Sequence, residues 1–206
     1  DAVLCDTFRD RKDSLFRLKT SGSTGAPFTV LCDGDKMNRV NMNFISFMEL
    51  NGFRMGMKRG EFRVWIPGKN VISKWKSFKN NLIMVDISNM GEEALKRKKV
   101  DIRKWDVEMV FAMGEALPQK TYDLIREIFG FSAVRSYGNN ENGFLACQVG
   151  EEDRYTVDLY NFYIEMLSLD SDEPVKPGEL GRIVVTDFYN KAFPMIRYDT
   201  GDTGIY

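Results

Sequence analysis

Two apolar runs separated by one helix-patterned segment constrain the fold of this chain more than anything else in its sequence. Val107–Ala112 has the character of a buried strand. Pro118 then opens a segment running through Phe129 with Leu124, Ile125 and Ile128 on one helical face, Gly130 stops it, and Phe131–Val134 is strand-like again. Strand, helix and strand in that order make a crossover, which joins parallel neighbours of one sheet. The consequence is positional: Met113–Leu117 and Ser136–Glu141 follow the carboxyl ends of adjacent strands, where open α/β sheets bind ligands.

Further elements extend the pattern on both sides. Phe28–Leu31 reads as a strand, Asp33-Gly34-Asp35 as a helix entry, and Met37, Val40, Phe44, Phe47 and Met48 as the apolar face of a helix that stops at Asn51-Gly52. Glu61–Ile66, closed by Pro67-Gly68, and Leu82–Val85 read as two more strands, linked through a short segment holding Trp75 and Phe78. Gly91–Val100 reads as a short helix whose Lys96–Lys99 run suits a helix C-terminus and lacks the interleaved aromatics of a nucleic-acid surface. Beyond Gly143 the texture changes to short β segments, Phe144–Gln148, Tyr160–Leu167 and Leu180–Phe188, with Asp170–Pro174 as an exposed acidic turn. The expected fold is α/β: a mostly parallel sheet flanked by helices over residues 1–142, then a smaller β-rich subdomain over 143–206.

Composition narrows the chemistry. With 29 basic and 30 acidic residues the net charge is -1, so no global field recruits nucleic acid or an anionic membrane, and small-molecule partners are favoured. No apolar run reaches the ~18 residues of a membrane span, and the charged start does not resemble a secretion signal, so a cytoplasmic location is expected. The 3 cysteines are far apart and read as reduced, structural thiols, and the absence of histidine excludes Ser-His-Asp hydrolysis and His-ligated metal chemistry within this chain. Oligomeric state is not legible. Any reaction must rest on positioning and electrostatics.

Thr20-Ser21-Gly22-Ser23-Thr24-Gly25, between two strand-like segments, combines glycines whose backbone can approach an anion with hydroxyl donors. Alone it reads more readily as a Ser/Gly hairpin connection with no ligand, and its spacing is not that of the G-x-x-x-x-G-K-[ST] loop. Three other motifs follow it: Met113-Gly114-Glu115-Ala116-Leu117-Pro118, Ser136-Tyr137-Gly138-Asn139-Asn140-Glu141, and Arg197-Tyr198-Asp199-Thr200-Gly201-Asp202. In this order the four resemble the signatures of the adenylate-forming superfamily. The resemblance is to its phenylacetate–CoA ligase branch, which includes deazaflavin-coenzyme adenylating synthetases and capsular-polysaccharide biosynthesis proteins.

The resemblance implies ATP-dependent activation of a carboxylic acid, aromatic in that branch, to an acyl-AMP that is passed to coenzyme A. It also implies roles. Thr20, Ser21, Gly22, Ser23, Thr24 and Gly25 would hold phosphates, with Thr24 and Glu141 in the catalytic set. Gly114, Glu115 and Ala116 would line the adenine edge, Ser136, Tyr137 and Gly138 would flank the base with Tyr137 stacked on it, and Asp202 would bridge the ribose hydroxyls. Glu141 would hold Mg²⁺, a hard cation suited to oxygen ligands. The sequence departs from the superfamily in two places: Asn140 stands where Thr is usual, its amide able to donate to a phosphate oxygen, and Phe28 stands where many members carry Lys. The resemblance further implies that these 206 residues are part of a large domain, expected to bind nucleotide without forming thioester unaided. Two other uses of such a scaffold stay open: nucleotidyl transfer to a coenzyme hydroxyl, and a non-catalytic nucleotide-binding role in capsular polysaccharide assembly.

Overall fold

The structure is a computed structural model, and it describes residues 4–19, 28–63, 72–86, 106–112, 118–150 and 153–206. In chain order the elements are β1 (Phe16–Lys19), β2 (Thr29–Cys32), α1 (Gly34–Leu50), β3 (Arg59–Arg63), α2 (Lys74–Lys79), β4 (Leu82–Asp86), β5 (Met109–Ala112), α3 (Gln119–Phe129), β6 (Val134–Asn139), β7 (Gly143–Gln148), β8 (Tyr155–Val157), β9 (Phe162–Leu167), β10 (Leu180–Asp187) and β11 (Tyr198–Ile205). The helix expected over Gly91–Val100 and the Val64–Ile66 end of one expected strand lie outside the described residues. The chain forms two compact units: residues 1–44, 139–145 and 157–206 make the first, and residues 45–138 and 146–156 the second.

The second unit carries the parallel part of a six-stranded sheet of order β4-β3-β5-β6-β7-β8. β3 pairs in parallel with β4 and β5, and β5 with β6, so the β5–α3–β6 crossover expected from the sequence is present. Its core forms because the apolar stripe of α3 has one partner surface: Ile125 packs with Val107, Val110 and Ala133, bordered by Tyr122, Phe129 and Phe131. One boundary is corrected here. The strand after α3 was expected at Phe131–Val134, but it begins at Val134 and runs through the polar stretch to Asn139, so Ser136, Tyr137 and Gly138 lie within the strand and not after it. Phe131 instead closes the helix exit, its ring 5.7 Å from that of Phe129. The polar residues are tolerated in the strand because they find partners: Ser136 Oγ donates to Ala112 O (3.0 Å), and Arg135 pairs with Asp153 (3.1 Å) and lies over the Tyr122 ring.

In the first unit β1 and β2 pair antiparallel, with Lys19 opposite Thr29. Leu4, Leu15, Leu31 and Ala192 form a core cluster with Phe8 and Phe193 around it. β9, β10 and β11 form an antiparallel sheet in which β10 is central. The register between β10 and β11 slips: Arg182 faces Thr203 while Val184 faces Asp199, so Thr200, Gly201 and Asp202 together oppose Ile183. This is a bulge, a device that re-aims side chains at a strand edge.

The three cysteines are free thiols with different surroundings. Cys32 and Cys147 are fully buried, and burial pushes their pKa values up to about 11 and about 12, while a hydrogen bond with the Thr7 hydroxyl lowers that of Cys5. A disulfide-exchanging reagent at neutral pH is therefore expected to titrate Cys5 alone in the folded protein and all three after denaturation; rapid reaction of Cys32 or Cys147 would contradict this burial. The sign of the linked pH effect follows. Unfolded thiols ionise near 9.0 and the buried ones only near 11 and 12, so this contribution to stability is complete below pH 9 and lost as pH rises toward those values.

Candidate nucleotide site

Asn140 and Glu141 sit on the three-residue turn between β6 and β7, and α1 holds that turn in place. Asp33 caps the helix, accepting from Lys36 N (2.8 Å), and the first turns of α1 then present one face to residues 142–144. Lys36 Nζ donates to Asn142 O (2.7 Å), Asn43 Nδ2 donates to Phe144 O (2.7 Å), and the Phe44 and Phe144 rings stack at 4.9 Å. Lys36 is charged and buried, and its counter-ion is Asp187 Oδ2 at 2.5 Å, with the Phe162 ring 4.7 Å from the ammonium. Asp187 in turn accepts from Tyr189 N (2.8 Å) and Asn190 N (3.2 Å).

Gly143, which follows the turn, has φ +95°, and a Cβ there would meet Val40 Cγ2 at 2.9 Å. Gly143→Ala is expected to destabilise the protein by about 1–3 kcal/mol, from left-handed strain and overpacking together. Urea unfolding measures this, and a change within about 0.5 kcal/mol, the range of surface substitutions, would contradict the close packing of α1 on the turn.

Within the turn, Asn139 Oδ1 accepts from Asn142 N (2.8 Å) and Asn140 Nδ2 donates to Lys19 O (3.0 Å), so Asn140 ties the turn to the strand end that precedes the glycine-hydroxyl run. Glu141 is only 8% exposed, and its Oε1 accepts from the Tyr198 hydroxyl at 2.9 Å. Burial first, then the hydrogen bond to Glu141, push the Tyr198 phenol well above its usual range, and the charges of Glu141, Asp202 and Asp199 act in the same direction. Phe28 meets Tyr198 edge-on, ring centroids 6.3 Å apart.

Asp202 is exposed on the β11 bulge, whose shape is set by Thr200. The Thr200 hydroxyl donates to Ile183 O (2.9 Å) and accepts from Asp202 N (3.1 Å), while Asp199 Oδ1 accepts from Gly201 N (3.0 Å), Gly201 having φ +76°. Arg182 braces the bulge from β10: Nη1 pairs with Asp199 Oδ2 (2.7 Å), Nε donates to Ser168 O (3.0 Å), and Nη2 reaches Asp172. The acidic turn at Asp170–Pro174 is thus organised by an arginine. Arg197, in left-handed conformation at φ +47°, pairs with Glu165 at 3.2 Å.

Of the residues expected at the site, Asn140, Glu141 and Asp202 belong to the first unit, and Tyr198 connects Glu141 to the strand that carries Asp202. Ser136, Tyr137 and Gly138 belong to the second; Tyr137 is half-buried, and the Ser136 hydroxyl is engaged by Ala112 O. Thr20, Ser21, Gly22, Ser23, Thr24, Gly25, Gly114, Glu115 and Ala116 lie outside the described residues. Among the described residues no cluster of three His, Cys, Asp or Glu side chains could hold a metal, and no helix is long and apolar enough to cross a membrane. A nearly buried carboxylate with one oxygen anchored by a hydroxyl fits a Mg²⁺ site of the kind that takes one protein carboxylate and completes its shell with phosphate oxygens and water.

No protein-family model matches the sequence, and no curated protein matches it. Solved structures share its fold. An open conformation of 2-hydroxyisobutyryl-CoA ligase in complex with 2-HIB-AMP and CoA is similar with a TM-score of 0.71 at 16% identity, over 94% of this chain and 53% of the ligase. The same ligase in its thioesterification state gives 0.72 at 16% identity, over 94% and 48%. ATP-bound MatB from Rhodopseudomonas palustris gives 0.59 at 12% identity, over 92% and 45%. The chain therefore has the fold of part of a CoA ligase and spans about half the length of these proteins.

Proposed function

We propose that this chain is the nucleotide-binding part of a cytoplasmic AMP-forming acid–CoA ligase, akin to the phenylacetate–CoA ligase branch of the adenylate-forming superfamily and acting on an aromatic carboxylic acid. The observation that carries the reading is the hydrogen bond between Tyr198 and Glu141: residues 57 apart in sequence, in two motifs independently expected to hold one nucleotide, are in direct contact. The shared fold supports it. In this reading residues 1–142 supply the nucleotide-binding portion and 143–206 the β-rich part ending at the ribose motif.

The reaction balances as two displacements. A carboxylate oxygen of the acid attacks the α-phosphorus of ATP, forming the acyl–phosphate bond while the bond to pyrophosphate breaks; coenzyme A thiolate then attacks the acyl carbon and AMP leaves. Thr20–Gly25 offer hydroxyl and backbone donors to the phosphates, with Thr24 in the catalytic set. Gly114, Glu115 and Ala116 line the adenine, Ser136, Tyr137 and Gly138 flank it with the Tyr137 ring stacked on the base, and Asp202 accepts from the ribose hydroxyls. Asn140, already bonded to Lys19 O, holds the turn and the foot of the phosphate loop together. Glu141 would hold Mg²⁺, which when bound neutralises phosphate charge.

Exchange of labelled pyrophosphate into ATP by the full-length protein tests the reading across a panel of aryl and alkyl acids. Acid-dependent exchange is the expected result. Exchange only with a coenzyme hydroxyl acceptor would replace the reading with nucleotidyl transfer, and none with either would leave a non-catalytic nucleotide binder, such as one serving capsular polysaccharide assembly.

A further inference from the structure

Tyr198 has no role of its own in the motif in which it stands, yet it touches two parts of the candidate site. Its hydroxyl is 2.9 Å from Glu141 Oε1, its ring rests edge-on against Phe28, and it is the first residue of β11, four positions before Asp202. Phe28 immediately precedes β2, and Lys19, whose carbonyl accepts from Asn140, ends β1. Tyr198 and Asn140 therefore join the Glu141 turn to Phe28 and to the end of β1.

A carboxylate only 8% exposed has few ways to be satisfied, and a hydroxyl donated to one oxygen fixes the plane of the group. The other oxygen takes no hydrogen bond among the described residues, so it is the one presented to a ligand. We propose that Tyr198 is a positioning residue: its hydroxyl orients the Glu141 carboxylate for a divalent cation and couples that cation contact to the strand bearing the ribose-binding Asp202. The proposal rests on the ligase reading, because it takes Glu141 as the cation ligand. It also accounts for Phe28, at the position where many members of the adenylate-forming superfamily carry a lysine: here the position seats the ring whose hydroxyl holds the carboxylate.

The test is equilibrium binding of ATP, with and without Mg²⁺, and of AMP without metal, by the full-length protein and its Tyr198→Phe, Glu141→Gln and double variants. Tyr198→Phe is expected to reduce the enhancement of ATP binding by Mg²⁺ about tenfold, as loss of an outer partner of a metal ligand does, while leaving metal-free AMP binding within about twofold. Glu141→Gln is expected to abolish the enhancement, and Tyr198→Phe to add nothing in that background. If Glu141→Gln abolishes the enhancement but Tyr198→Phe leaves it intact, or weakens AMP and Mg·ATP binding alike, the positioning role is wrong and the ligase reading stands. If Glu141→Gln leaves the enhancement intact, both are wrong. Should Tyr198→Phe fail to fold, Phe28→Ala carries the test: it keeps the hydroxyl but frees the ring, and an undiminished Mg²⁺ enhancement there would overturn the proposal.

Discussion

Lys36→Ala is expected to lower the unfolding free energy by about 3–5 kcal/mol, the cost of breaking a buried ion pair on one side. The side chains of Lys36 and Asp187 are 3% and 0% exposed, so removing the ammonium leaves a carboxylate with neither counter-ion nor water. The same change strips Asn142 O of its donor and the Phe162 ring of its cation. Replacing both partners by apolar residues of similar size, Lys36→Met with Asp187→Leu, removes the unpaired charge but also the acceptor for Tyr189 N and Asn190 N, so recovery should be partial. Denaturant unfolding of the two variants measures this. A loss below about 1 kcal/mol for Lys36→Ala, typical of an exposed pair, would show that the pair is hydrated. Because Lys36 holds the carbonyl of the residue after Glu141, the Lys36→Ala variant should also bind Mg·ATP more weakly at temperatures where it is still folded.

Glu141→Gln is expected to lower acid-dependent pyrophosphate exchange by about 10²–10³-fold, the scale seen when one group acting on transition-state charge is removed. Glutamine keeps the volume and can still accept from the Tyr198 hydroxyl, so the fold and the Phe28–Tyr198 contact are preserved; what is lost is the anionic oxygen. A variant with normal unfolding behaviour and exchange within about threefold of the parent would contradict this role, since that ratio is well under 1 kcal/mol.

Legibility divides along chemical lines. The β5–α3–β6 crossover and the apolar face of α1, where Phe47 and Met48 are buried, were readable because periodicity within one element reports burial directly. Lys36 and Asn43 lie on the same helix and are buried too, but their partners are 106 and 101 residues away, so no local pattern announces them. The β6 boundary was misread for a related reason: Arg135 and Ser136 look like loop residues until Asp153 and Ala112 O are brought alongside. Glu141 and Asp202 stood out as motif carboxylates, but Tyr198 did not. Its importance comes from a strand register and a bulge that put a hydroxyl beside a carboxylate from another stretch of chain. The Thr200-Gly201-Asp202 motif itself was legible as a string, while its bulged geometry, held by Ile183 O and braced through Asp199 by Arg182, required the pairing of β10 with β11.

Activation of an acid as its adenylate leaves an isotopic record that no competing reading shares. The full-length protein, given ATP, Mg²⁺, coenzyme A and a carboxylic acid labelled with ¹⁸O in both oxygens, should release AMP carrying one labelled oxygen on phosphorus, because the carboxylate oxygen that attacks the α-phosphorus stays there when the thiol takes the acyl group. Mass spectrometry of the AMP reads this directly. AMP with one ¹⁸O alongside acyl-CoA is the predicted result, and AMP without label, or ADP in its place, would contradict the account.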